Sequence, residues 1–133
     1  MRVIRVLLVE DHTAFREALA FLLGGASDIE VAAQAGSLAE TREALDGGFD
    51  VAVVDLGLPD GDGRELIGEL RTASPGISVL VLNATIKTEH LDDLHTPGAD
   101  AVLAKVESPS VIVEEVRRLA GEQAASGHDD RGV

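Results

Sequence analysis

The 133-residue chain predicts an α/β fold, a (βα)5 doubly wound parallel sheet. Three observations carry that prediction. Short runs rich in β-branched residues recur at Ile4–Val9, Ile29–Ala33, Val51–Val54, Ile77–Leu82 and Ala101–Leu103. The segments between them repeat their apolar residues at helical spacing. The runs themselves are apolar without alternation, as expected of strands covered on both faces of a parallel sheet.

Each element has its own signature. After the first strand, Phe15, Leu19, Leu22 and Leu23 fall at i, i+4, i+7 and i+8, one face of a helix. Ser37-x-x-Glu40 reads as a capping box that opens a second helix through Leu45, and Gly47-Gly48 closes it. Leu66, Ile67 and Leu70 mark a third helix, ended near Ala73 by the Ser74-Pro75-Gly76 turn. A fourth, across Thr85–Thr96, has only Ile86, Leu91 and Leu94 as large apolar residues, so a short or mobile helix is expected there. Ser108-Pro109 caps and starts the last helix, whose apolar side holds Val111, Ile112, Val116 and Leu119. Residues 1–120 are therefore expected to form one domain. From Gly121 to Val133 the period is lost, which reads as a polar tail or the start of a linker.

Composition excludes several classes of function. Lys and Arg number 11 against 24 Asp and Glu, a net charge of −13, which argues against direct contact with nucleic acid or anionic membranes. Hydrophobic residues make up 45 %, enough for a core, so the acidity does not signal disorder. No cysteine is present, which removes disulfides and thiolate chemistry. The apolar runs have strand length, far short of the ~20 residues of a membrane-spanning helix. No leader pattern opens the chain, and a cytoplasmic location is expected.

In an open parallel sheet, ligands bind beyond the carboxyl ends of the strands. Glu10-Asp11 follow the first strand, Asp55 the third, Asn83 the fourth and Lys105 the fifth. With strand order 2-1-3-4-5, the three carboxylates converge. Such a cluster is costly without a cation, and its hard oxygens suit Mg²⁺. Lys105 adds a compact positive charge in a chain with nine Arg and only two Lys.

Three segments then resemble a known family. They are Val6-Leu7-Leu8-Val9-Glu10-Asp11-His12, Val53-Val54-Asp55-Leu56-Gly57-Leu58-Pro59-Asp60-Gly61-Asp62-Gly63, and Gly98-Ala99-Asp100-Ala101-Val102-Leu103-Ala104-Lys105. In order and spacing they are similar to the receiver domain of two-component response regulators, which has a CheY-like fold. The wording is closest to the NarL/FixJ type of transcription regulator. The resemblance implies a signalling switch that catalyses at most its own phosphorylation and slow dephosphorylation. Asp55 would be the phosphoacceptor for a sensor histidine kinase, and Lys105 would pair with the phosphoryl oxygens. Glu10, Asp11, Asp55 and the backbone carbonyl of Gly57 would hold Mg²⁺. The family also uses its last helix in dimer contacts, so a homodimer is open. DNA would be reached through a helix-turn-helix domain that this chain does not contain.

Two positions depart from the family pattern. Asn83 stands where Thr or Ser is usual, and Val102 where an aromatic ring is frequent. The expectation is an intact pocket with a weak or unconventional conformational response. A phosphorylation-independent pseudo-receiver, acting as a protein interaction module, is the alternative. An aspartate-nucleophile phosphatase of the haloacid-dehalogenase kind needs a second Asp at the position of Gly57. Asp60-Gly61-Asp62-Gly63 has no Glu where a calcium loop would end, Arg71 standing there, and reads as a turn. The four histidines lack metal-ligand spacing, with His12 at the pocket edge.

Overall fold

The structure, a computed structural model, describes residues 3–83, 98–105 and 107–131. The strands are β1 (Ile4–Val9), β2 (Ile29–Ala35), β3 (Val51–Asp55), β4 (Gly57–Leu58), β5 (Gly61–Asp62), β6 (Ser78–Asn83) and β7 (Ala101–Ala104). The helices are α1 (Thr13–Gly24), α2 (Leu38–Ala44), α3 (Glu65–Ala73) and α4 (Pro109–Arg131), with a 3₁₀ turn at Leu45–Gly47. The main sheet is parallel, in the order β2-β1-β3-β6-β7. That is the expected 2-1-3-4-5 order of the five apolar runs. The helix expected across 85–96 lies outside the described residues.

Alternate residues of the central strands feed two separate cores, which is why those strands read as unbroken apolar runs. Leu7, Val9, Ala52, Val54, Val79 and Val81 pack with Leu38 of α2 and Leu66, Ile67 and Leu70 of α3. Val6, Leu8, Val51, Val53, Leu80 and Leu82 pack on the other face with Leu19 and Leu23 of α1 and Ile112, Val116 and Leu119 of α4. On α1 the stripe is narrower than expected. Leu22 is exposed, because the line through Phe15, Leu19 and Leu23 already fills the contact with the sheet.

Local chemistry explains the joints. Ser37 Oγ accepts the N–H of Glu40 at 3.1 Å, as the capping box requires. Glu40 reaches back one residue further than expected, to the N–H of Gly36 at 2.6 Å. Helix α2 then tightens into its 3₁₀ turn, and Gly48 leaves it at φ +71°, a left-handed conformation that glycine adopts freely.

Two parts of the chain differ from expectation. The turn after Asp55 contains a short antiparallel hairpin, Gly57 and Leu58 pairing with Asp62 and Gly61. Helix α4 continues past Gly121 to Arg131, through the segment read as a polar tail or the start of a linker. Glu122, Gln123, Ala124 and Ala125 are good helix formers, so the backbone continues after the apolar period ends.

Candidate functional site

Sheet register assembles the pocket. Val9 pairs with Val54, so Glu10 and Asp55 emerge side by side at the carboxyl ends of neighbouring strands. Asp55 pairs with Leu82, and Asn83 with Ala104, which brings Lys105 to the same edge from β7. The backbone N–H of Lys105 donates to the carbonyl of Asn83 at 3.0 Å, anchoring the base of the lysine stem.

Glu10 is fully buried and Asp55 is 4 % exposed, whereas Asp11 faces solvent. Carboxylate oxygens of all three lie within 4.8 Å of one another, a separation that one divalent cation can span. Glu10 divides its two oxygens. Oε2 accepts the N–H of His12 at 3.0 Å, and Oε1 lies 2.6 Å from Lys105 Nζ. The same ammonium is 3.6 Å from Asp55 Oδ2. Asp55 Oδ1 accepts the N–H of Gly57 at 3.3 Å.

This environment sets the charge states. Burial and the adjoining Glu10 carboxylate push the Asp55 carboxyl up from 3.8 to about 6, despite the Gly57 N–H and the Lys105 ammonium. Burial of Lys105 favours its neutral form, but the contact with Glu10 and the charges of Asp55 and Glu10 outweigh it and raise its affinity for a proton. Near neutral pH the pocket therefore holds a clustered negative charge around one ammonium. The donor set is all hard oxygen, which suits Mg²⁺ better than a softer metal.

The structure brings Glu10, Asp11, Asp55 and Lys105 together as the sequence predicts. Asn83 stands at the same strand end, where its backbone carbonyl holds Lys105. Gly57 contributes its N–H to Asp55. His12 is the N-cap residue of α1 without a capping hydrogen bond from its side chain.

Four supporting roles escaped the sequence reading. The ring centroid of Phe15 lies 4.9 Å from Lys105 Nζ. Arg16 Nη1 donates to the carbonyl of Glu10 at 2.7 Å, holding the end of β1 in place. Asp60 accepts the N–H groups of Leu38 at 2.8 Å and Ala39 at 3.1 Å, tying the acceptor loop to the start of α2. Gly63 closes that loop against the site, donating to the carbonyl of Leu56 at 2.9 Å. A Cβ there would stand 2.5 Å from the Asp55 carbonyl oxygen, so only glycine fits.

Comparison with known proteins agrees with this geometry. The family model for the response regulator receiver domain matches residues 6–117. The chain is 36 % identical over 103 residues to the DNA-binding transcriptional activator DevR/DosR of Mycobacterium tuberculosis, covering 77 % of this chain and 48 % of that protein. It is 32 % identical over 118 residues to the transcriptional regulatory protein UhpA of Salmonella typhimurium, covering 88 % of this chain and 59 % of that protein. The chain thus spans about half the length of these relatives. Among solved structures, a CheY-like receiver domain protein from Methanospirillum hungatei superposes with a TM-score of 0.78 at 25 % identity, covering 93 % of this chain and 98 % of that one. Fold, strand-end chemistry and these likenesses converge: the chain belongs to the response regulator receiver domain family.

Proposed function

We propose that this receiver accepts a phosphoryl group on Asp55 from the phosphohistidine of a sensor histidine kinase, with Mg²⁺ as its cofactor. The observation that carries the reading is the half-buried Lys105 ammonium set between Glu10 and Asp55 at two adjacent strand ends. In the transfer, an Asp55 carboxylate oxygen attacks phosphorus. The new O–P bond forms as the P–N bond to the imidazole breaks, and the imidazole leaves with the electron pair. Phosphoryl transfer asks a protein mainly for positioning and for neutralisation of the equatorial oxygens. Lys105 supplies one positive charge, and the N–H of Gly57 orients the attacking carboxylate. Glu10, Asp11, Asp55 and the Gly57 carbonyl would hold Mg²⁺, which when bound supplies further charge neutralisation at the phosphoryl oxygens.

Residues 1–120 form the switch in this reading, and 121–133 lead toward an output region. The relatives named above suggest transcriptional control as that output, in the cytoplasm. The net charge of −13 argues against DNA contact by this chain itself. A homodimer is compatible with the reading.

The pseudo-receiver reading rests on Asn83 and Val102, which depart from the usual switch residues. Beryllofluoride, which adds to a carboxylate as a phosphoryl mimic, separates the two readings. With Mg²⁺ it is expected to shift the amide resonances of Asp55, Leu56, Gly57 and Lys105 in the wild type and to leave Asp55→Ala unchanged. An unperturbed wild-type spectrum would establish the pseudo-receiver.

A further inference from the structure

We propose that Phe15 is a positioning residue for Lys105, its ring face holding the ammonium in the acidic pocket so that the charge is in place for phosphoryl transfer. This role rests on the phosphoacceptor reading above. Phe15 lies in the first turn of α1, and its ring centroid is 4.9 Å from Lys105 Nζ, inside the range of a cation–π contact. The ammonium has Glu10 Oε1 at 2.6 Å and Asp55 Oδ2 at 3.6 Å, and the lysine side chain is only 17 % exposed. Carboxylates and an aromatic face therefore surround a cation that has little access to water.

The backbone that carries the ring is tied to the pocket. Its chain neighbour Arg16 donates its backbone N–H to the His12 carbonyl at 2.9 Å and its guanidinium to the Glu10 carbonyl at 2.7 Å. The start of α1 is thus tied to the end of β1, and Phe15 rides on that joint. Leucine at this position would fill similar space against the α1–α4 core but would offer no negative face. The π face attracts a cation with little directional demand. It can retain the ammonium as its N–H groups turn from a carboxylate toward a phosphoryl oxygen, whereas a third carboxylate would compete for those N–H groups.

Two readouts test this role without depending on each other. The chain has two lysines, Lys87 and Lys105, so lysine labelled with ¹³C at Cε gives two side-chain signals, assigned with Lys87→Arg. The Lys105 Hε resonances are expected upfield from ring current in the wild type and in Phe15→Tyr, and at ordinary shifts in Phe15→Leu. The second readout is the rate of phosphoryl adduct formation from acetyl phosphate with Mg²⁺, followed by intact mass. Phe15→Leu is expected to slow it about two- to fivefold, with Phe15→Tyr close to wild type. In a Lys105→Ala background, Phe15→Leu is expected to add no further slowing, because the ring then has no cation to hold. Equal slowing in both backgrounds, or an unshifted Lys105 signal in the wild type, overturns the role of Phe15. A wild type that reacts as fast as Phe15→Leu overturns that role alone. No adduct on the wild type overturns the phosphoacceptor reading as well.

Discussion

Asp55 is ionised at neutral pH against the pull of its surroundings, and the fold carries the cost. Its carboxyl sits at about 6, above the ordinary 3.8, because burial and Glu10 disfavour the charge. A carboxyl raised on folding weakens the native state wherever it is ionised. The cost is complete above pH 6, fades as pH falls toward 3.8, and is gone below that value. Asp55→Asn is therefore expected to stabilise the protein at pH 8 in the presence of a chelator, by about 1–2 kcal/mol after allowance for screening. Urea denaturation at pH 8 and pH 4 checks this. The advantage should shrink at the lower pH, and an Asp55→Asn protein less stable than wild type at pH 8 contradicts it. At this scale the sequence was informative wherever chemistry sits at a strand end. Glu10, Asp11, Asp55 and Lys105 could all be read because each follows an apolar run. Phe15 could not, because its i, i+4 relation to Leu19 marks it as core and says nothing of the cation above its ring.

Helix α2 depends on a residue far from it in sequence. Ser37 caps it locally, and Asp60, from the acceptor loop, takes the N–H groups of Leu38 and Ala39. Those bonds hold the Asp60 carboxyl below its ordinary value. A carboxyl lowered on folding contributes stability above its unfolded value and loses it as pH falls toward the folded one, so this cap persists through neutral and mildly acid conditions. Ser37→Ala is expected to cost about 1 kcal/mol by denaturant titration. Asp60→Ala is expected to speed hydrogen exchange at Leu38 and Ala39 and to leave α3 amides unchanged. Unaltered exchange at the start of α2 would show that Ser37 suffices. The Ser37–Glu40 box was legible because capping is local chemistry. The Asp60 cap was not, since it joins positions 22 residues apart. The β4–β5 hairpin was missed for a related reason: two-residue strands carry no periodicity, and the run from Asp60 to Gly63 advertises only a turn.

Across the whole molecule, the strand order follows from where the strands are buried. β1, β3 and β6 supply both cores and occupy the centre, while β2 and β7 at the edges are only partly covered. Continuous apolar strands make that centre legible in the sequence. The length of α4 was not readable, because the sequence after Gly121 carries no apolar period that could betray the helix. In the proposed switch, a change at Asp55 would have to spread beyond the pocket. Asn83 and Val102 pair with Ala104 and Val81 in the β6–β7 ladder that ends at the pocket. If Asn83 is what weakens the response, Asn83→Thr should enlarge the phosphorylation-linked change in hydrogen exchange over residues 98–105. An identical change in both proteins would relieve Asn83 of that role. The central claim is a metal-dependent phosphoacceptor at Asp55, and intact mass after incubation with acetyl phosphate and Mg²⁺ tests it most directly. The account predicts one phosphoryl adduct on the wild type, lost with chelator and absent from Asp55→Ala. An adduct that persists in Asp55→Ala, or none on the wild type, would contradict it.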